Sequence, residues 1–367
     1  MTFPNLHPDI PETVRRAYDL TISSVTAVSG GFSGATVFRA LTVDGRTLAI
    51  RQTPNTATLT AKRRIRLRGL LSQLAELGLK QIPVPLIPNT TPGGLAAGDV
   101  PILLQKTASP TMEPWVSTED SRWQVEPWMP GLPQSGVDVT NQHLKSAFRL
   151  LNNFHRMAID ALHTTGQDEW FYVSRTESPA ILRRLGIVNE LQQGLLAKLQ
   201  HHLSTDSDTR LRDLAAIVCD ALRQWLPWLH LELSALAAQT FSIQPVLRDV
   251  WRAHVLFTDQ EVTGLIDLTA TGTDHIAVDL SRLIRSWFGA DNHRLSAATE
   301  TYRTLRKLDP RELKLWQSLD ASSVLLSPVT WLRRRMESRD PSHYPDDVIA
   351  RLRELTEIAA NFRPLFS

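Results

Sequence analysis

Leu247-Arg248-Asp249-Val250-Trp251-Arg252-Ala253-His254-Val255-Leu256-Phe257, followed shortly by Gly264-Leu265-Ile266-Asp267, is the part of the chain on which its reading turns. In the first stretch an aspartate precedes a short loop that leads into an apolar strand. The second stretch is an apolar strand ending in a carboxylate. Asp259-Gln260-Glu261 between them supplies a hairpin turn. Pairing of these strands would bring Asp249, His254 and Asp267 to one end. Two carboxylates converging on a cleft can divide the labour: one orients a hydroxyl or accepts its proton, the other holds a divalent metal. Both can equally be turn-capping residues, and the hairpin alone does not choose between the two readings.

Upstream of the hairpin the chain changes character at residues 127–131. Pro11 to Leu20 reads as a short helix with Glu12 well placed against its dipole. Val25 to Arg51 is rich in β-branched residues. It is broken by Ser29-Gly30-Gly31-Phe32-Ser33-Gly34 and by the hairpin pair Asp44-Gly45, which predicts three antiparallel strands. Thr58 to Leu79 reads as a helix stopped by Gly78, Pro83 and Pro85, and Pro101–Gln105 and Ser121–Val125 as two further strands. Pro127, Pro130 and Gly131 mark a linker. Beyond it the pattern is helical: Thr140 can cap a helix bearing Leu144, Phe148, Leu151 and Phe154, and Pro179–Leu203, Thr209–Trp225 and Leu229–Gln239 follow. The strand-rich island Gln244–Leu268 interrupts these helices, which return after Asp279. The expected class is α+β, with a β-rich part over 1–126 and a mainly helical part over 127–367 that carries the hairpin 244–268.

Composition narrows the function classes. In 367 residues no apolar run approaches the roughly 20 residues that span a bilayer, so no membrane partner is expected. Met1-Thr2-Phe3-Pro4-Asn5 shows no basic stretch followed by an apolar core, so a secretory signal is not expected and a cytoplasmic location is. A net charge of +2 is too mild to argue for nucleic acid. The single cysteine, Cys219, excludes an internal disulfide and any multi-cysteine metal site, and in Leu214-Ala215-Ala216-Ile217-Val218-Cys219 it reads as a small buried hydrophobe. Glycines at 30, 31 and 34 would let backbone N–H groups approach phosphate oxygens without Cβ clashes, although glycine-rich hairpins are common.

Set in this layout, Pro245 to Ile284 resembles the catalytic region of the aminoglycoside phosphotransferase family, with its choline-kinase-like and homoserine-kinase-like relatives. That family shows His-Gly-Asp, an Asn five residues after the Asp, and an Asp ending the next hairpin. Asp249 matches the catalytic Asp, Asp267 the metal-binding Asp, and Asp279-Leu280 the later pair whose carboxylate buttresses the loop. Leu151-Asn152-Asn153-Phe154-His155 resembles the helix beneath that loop, which makes His155 structural. Val125-Glu126-Pro127-Trp128-Met129-Pro130-Gly131 resembles the hinge whose backbone receives the adenine. The resemblance implies a bilobal protein-kinase-like fold, a small antiparallel-sheet lobe and a larger helical lobe with an ATP-type site between them. It also implies ATP with Mg2+, a small-molecule acceptor, and a nucleotide held by Gly30, Gly31, Ser33, Gly34, Arg51, Glu126 and Trp128.

The departures are as informative as the matches. Arg51 stands where the family has a phosphate-binding Lys. No acid lies between Arg51 and Glu76 to pair with it; the helix there carries Lys62, Arg63, Arg64, Arg66 and Arg68, read as a solvated face or a feature for an anionic partner. An Arg stays charged without a partner and can grip phosphate bidentately. His254 replaces the metal-binding Asn, and an imidazole suits Mn2+ better than Mg2+. Leu247 and Arg248 replace His-Gly, and Arg248 can offset charge on a phosphoryl group or neutralise Asp249. The expected function is ATP-dependent phosphoryl transfer to a hydroxyl of a small molecule. The alternatives are a relative that binds nucleotide or a partner without turnover, and a helical interaction module, which leaves the glycine turn and paired Asp strands unexplained. No converging acidic cluster suited to a polycationic antibiotic is visible. Trp287, Trp331 and Arg333 to Arg335 read either as pocket lining or as core.

Overall fold

The structure, a computed structural model, describes residues 10–28, 35–55, 60–89, 113–337 and 345–364. The glycine turn 29–34, with Gly30, Gly31, Ser33 and Gly34, and the expected strand Pro101–Gln105 lie outside the described residues. The chain divides into two compact units. One comprises residues up to Gly131 with His163–Gly166 and Thr263–Thr269; the other comprises Leu132–Leu162, Gln167–Val262 and the chain from Ala270 onward.

The first unit opens with helix α1 (Glu12–Ala17) and strands β1 (Ile22–Val28), β2 (Thr36–Thr42) and β3 (Thr47–Pro54). Helix α2 (Ala61–Glu76) and strands β4 (Val116–Ser117) and β5 (Ser121–Pro127) complete it. The strands form one antiparallel sheet in the order β1-β2-β3-β5-β4. The expected hairpin at Asp44-Gly45 is present, with Gly45 at φ 85°, a conformation that glycine adopts without steric cost. Side chains alternate between the sheet faces. Phe38, Ala40, Leu48, Ile50, Trp123 and Val125 form a buried cluster with Val14 of α1 and Tyr18 at its C-terminal end. Arg51 lies opposite Gln124, and Glu126, two residues along β5, shares the face of Gln124 away from that cluster.

Helix α2 begins at Thr60, whose hydroxyl accepts the Arg63 N–H at 3.3 Å, and buries Leu67, Leu70, Leu71 and Leu74. Its basic residues are more than a solvated face. Arg66 donates to the carbonyls of Thr165 and Gly166 at 2.8 and 3.0 Å, and Arg68 to that of Pro85 at 2.9 Å. Arg64 lies over the Trp115 ring at 5.8 Å. A guanidinium offers five donors in a fixed fork, so one arginine can tie a helix to neighbouring backbone carbonyls.

The second unit is mainly helical. It contains β6 (Leu132–Pro133), α3 (Asn141–Thr165), β7 (Ser174–Thr176), α4 (Pro179–Glu190), α5 (Leu196–Ser204), α6 (Thr209–Ala237) and β8 (Phe241–Val246). Then come β9 (Val255–Thr258), β10 (Glu261–Leu265), β11 (Gly272–Asp274), α7 (Ala277–Phe288), α8 (Asn292–Arg303), α9 (Pro310–Glu337) and α10 (Asp346–Ala360). Of these, the ends of α3 and β10 fall in the first unit's stretches His163–Gly166 and Thr263–Thr269. Two small three-stranded sheets run β10-β9-β6 and β11-β8-β7. Leu144, Phe148, Leu151 and Phe154 are buried along α3 at the spacing expected of them.

Two helical readings change. Thr209–Trp225 and Leu229–Gln239 are one helix, α6, which carries Pro227 in its interior. Leu222, Leu226, Leu229, Leu233 and Leu236 continue one buried stripe through the proline, and that burial outweighs the loss of a single backbone hydrogen bond. Pro179–Leu203 is instead divided at Gly194, whose φ of 118° separates α4 from α5. Cys219 is buried, as is Trp287 at 4% exposure, so Trp287 belongs to the core. Arg335 is likewise buried, bidentate to Asp206 at 2.8 and 2.9 Å. Among the described residues no helix is long and apolar enough to cross a membrane.

Candidate functional site

In the second unit everything centres on the Asp279 carboxylate. Asp279 sits in the first turn of α7 with 0% exposure and accepts three hydrogen bonds. The backbone N–H of Leu247 donates to Oδ2 at 2.8 Å, that of Arg248 to Oδ1 at 2.7 Å, and His155 Nε2 donates to Oδ2 at 2.8 Å. A buried carboxylate is tolerable only when so satisfied. Gln244 Nε2 also donates to the His155 carbonyl at 2.6 Å, which joins α3 to β8. The loop after β8 is thus held at its backbone from below. His155 and Asp279 meet in one buried hydrogen bond beside that loop.

Arg248 has φ 68°, in the left-handed region that costs an ordinary residue roughly 1–2 kcal/mol. The resemblance puts a glycine at this position, the residue that adopts such a conformation without steric cost. The Arg248 side chain lies against Gly272 of β11. A Cβ at Gly272 would stand 2.6 Å from Arg248 Nη1 and 3.2 Å from Cδ. Asp249 follows, with its side chain 45% exposed and ion-paired to Arg282 of α7.

His254 is placed differently from a metal ligand. Trp251 Nε1–H donates to its Nε2 at 2.7 Å, and its Nδ1 lies 2.9 Å from the Asp249 carbonyl. An indole nitrogen can only donate and a carbonyl can only accept, so the ring is the Nδ1–H tautomer with its lone pair already used. The imidazole therefore braces the loop from Asp249 to His254 and offers no nitrogen to a cation in this arrangement.

The remaining expected residues belong to the first unit. Arg51 Nη1 lies 3.3 Å from Asp267 Oδ1, so Asp267 supplies the acid that α2 lacks. Thr269 Oγ1 donates to the same oxygen at 3.1 Å, and Asp267 has φ 58°, which a short polar side chain tolerates. Glu126 accepts from Gln124 Nε2 at 3.1 Å. Burial pushes its carboxyl above the ordinary range, with Arg51 pulling the other way. Arg51, Arg64, Arg68, Gln124, Glu126 and Asp267 border an open cavity of about 480 Å3. Trp128 carries the Arg39 guanidinium over its ring at 5.2 Å, and its backbone N–H is committed to the Thr47 carbonyl at 3.0 Å.

Arg282 and Trp251 went unnoticed in the sequence. Arg282 follows Asp279 by three residues, and on a helix that spacing puts both on one face, here under the loop. Among the described residues no group of three or more His, Cys, Asp or Glu side chains could hold a metal by itself. One hard carboxylate, Asp267, fits a divalent cation that takes its other oxygens from phosphate and water, as Mg2+ does.

Residues 24–316 match the family described as "Phosphotransferase enzyme family". No curated protein sequence matches the chain. Among solved structures the chain resembles the aminoglycoside phosphotransferase from Alicyclobacillus acidocaldarius subsp. acidocaldarius DSM 446, with TM-score 0.59 at 16% identity over 96% of this chain and 93% of that one. It also resembles the spectinomycin phosphotransferase APH(9)-Ia in complex with ADP and spectinomycin, with TM-score 0.60 at 14% identity over 95% of each chain. A third is the amicoumacin kinase hAmiN in complex with AMP-PNP, Ca2+ and Ami, with TM-score 0.58 at 13% identity over 96% and 93%. At such identities these matches establish the fold, a small antiparallel sheet with a larger helical part.

Proposed function

Since this chain belongs to the phosphotransferase enzyme family, we propose that it transfers the γ-phosphoryl group of ATP to a hydroxyl of a small molecule. The observation that carries this reading is the Asp279 carboxylate, which fixes the N–H groups of Leu247 and Arg248 and so sets the loop from which Asp249 projects. Asp249 aligns the acceptor hydroxyl and takes its proton as the hydroxyl oxygen bonds to the γ-phosphorus. The bond from that phosphorus to the bridging oxygen breaks, and ADP leaves. Little covalent chemistry is asked of the protein, so positioning and charge stabilisation are its contribution. Arg51 neutralises phosphate oxygens, and Arg248 offsets charge near Asp249. Asp267 would hold the divalent metal, which when bound neutralises phosphate charge. ADP and AMP-PNP in two of the similar structures support a nucleotide here.

A second reading, a relative that binds nucleotide without turnover, is favoured by two observations. His254 is spent on bracing its own loop, and the Arg51–Asp267 pair occupies the oxygen that would meet a metal. Thermal melting with ATP, with and without Mg2+, separates the readings when joined to an ADP-release assay. Ligand at about 100 times its Kd adds about 2.7 kcal/mol to stability. ATP with Mg2+ is expected to raise Tm well beyond ATP alone, and Asp267→Ala to erase that difference and the slow ATP hydrolysis with it. Metal-independent binding and no ADP release in the unsubstituted protein would establish the second reading.

A further inference from the structure

The second unit contains a separate cavity of about 490 Å3, walled by the loop residue Trp251 and by helices α7, α9 and α10, and its lining residue Arg282 is the ion-pair partner of Asp249. Its chemistry is dominated by guanidinium groups: Arg282, Arg285 and Arg351 line it, and Glu354 is the one carboxylate among its described lining residues. Arg285 is spent, bidentate to the buried Asp320 and bonded to the Gly289 carbonyl at 2.5 Å. The other arginines crowd onto few acids. Arg252 donates to Glu354 Oε1 at 2.7 Å and Arg351 to Oε2 at 2.5 Å, while Arg282 rests on Asp249. Three guanidinium groups therefore share two carboxylates, and Arg282 Nε is buried without a hydrogen-bond partner. Burial holds the Arg351 guanidinium below its usual range, since desolvation outweighs Glu354, so an added anion there would be welcome.

The aromatic wall points the same way. Trp251 already has the Arg351 guanidinium 4.8 Å from its ring centroid and that of Arg252 at 5.8 Å, so its ring is occupied by the protein's own cations. A cationic ligand would find the one lining carboxylate, Glu354, already bonded to two arginines and the ring already faced by the same two. Ser286, Ser323 and Ser327 add hydroxyl groups suited to a polar ligand.

We propose that this cavity is the acceptor site and that its substrate is a small hydroxylated anion, a polyol bearing a carboxylate or a phosphate, with its charge against Arg351 and Arg282 and a hydroxyl at Asp249. The proposal rests on the phosphotransferase reading above. The transfer is the one already written: the substrate oxygen bonds to the γ-phosphorus of ATP, its proton passes to Asp249, and ADP leaves.

The test is calorimetric titration of the full chain, without nucleotide, against four probes: inorganic phosphate, D-gluconate, glucose 6-phosphate and glucosamine. At least one hydroxylated anion is expected to bind with a millimolar or lower Kd, and glucosamine is not. Gluconate and glucose 6-phosphate distinguish the carboxylate source from the phosphate source, and phosphate alone should bind more weakly than the better of them. Arg351→Gln is expected to weaken that probe by about tenfold or more, the loss of one charge-assisted hydrogen bond. Ser327→Asp, which adds a negative charge to the cavity while leaving every arginine in the sequence, should weaken it as well. Preference for glucosamine, silence from both anions up to about 10 mM, or indifference to both substitutions in folded protein would overturn the proposal. Because no nucleotide is present, failure of ATP turnover leaves this result intact. ADP release driven by an amino alcohol would sink the anionic substrate while leaving the phosphotransferase reading in place.

Discussion

Asp249→Ala is expected to lower kcat by about 10²- to 10⁴-fold, the usual contribution of a positioned general base, while nucleotide affinity stays nearly unchanged. The separation follows from where the groups stand. The residues proposed to meet phosphate and metal, Arg51 and Asp267, belong to the first unit, and Asp249 to the second. Stability should also hold. The Asp249 side chain is 45% exposed and Arg282 37%, and an ion pair that open to water contributes about 0–1 kcal/mol. The measurement is ADP release under saturating acceptor, beside a melting curve and an ATP titration. Equal loss of binding and turnover would assign Asp249 a role in the nucleotide site instead, and an unchanged kcat would remove it from the chemistry.

Asp279→Ala should behave in the opposite manner, losing the fold around the loop and activity along with it. The substitution leaves two backbone N–H groups and His155 Nε2 without their acceptor in a fully buried place. Stranding buried donors and one member of a buried pair costs roughly 3–5 kcal/mol, enough to lower Tm by several degrees in scanning calorimetry. Asp279→Asn should recover only part of this, because an amide has one accepting oxygen and turns its NH2 toward donors. A stable Asn variant with full activity would show that the charge and the second acceptor are dispensable. Loss of activity with stability retained at 249, and loss of both at 279, distinguishes a group that touches substrate from one that acts through the loop.

Much of the fold was legible because its signals were local. Asp44-Gly45 between apolar strands specifies a hairpin, and Leu144, Phe148, Leu151 and Phe154 specify a helix face; neither needs knowledge of the rest of the chain. Pro227 and Gly194 show the limit of such signals. A proline suggests a break in α6, yet the leucine stripe on either side of it keeps one direction, and only packing decides that contest. The site divides in the same way. Asp249 and Asp267 stand out in the sequence as carboxylates flanking one hairpin, and Asp279 only through the resemblance. The engagement of both His254 nitrogens could not be found there, because it depends on Trp251 adopting the rotamer that aims its indole N–H at the ring. Arg51 pairing with Asp267 bridges 216 positions, beyond any periodicity. The Arg282 contact with Asp249 had a faint signal in its helical spacing from Asp279, but nothing in the sequence says what that face meets.

The crowding of Arg248 against Gly272 carries a consequence for how this sequence can drift. The loop needs a left-handed residue at 248, and glycine would fill that need most cheaply, but here an arginine does so and lays its chain where a side chain at 272 would otherwise sit. The demand for a residue without Cβ has in effect been passed from the loop after β8 to the facing strand β11. The two positions should therefore vary together among close homologues, a long side chain at 248 accompanying glycine at 272, and a glycine at 248 releasing 272 to carry alanine or larger.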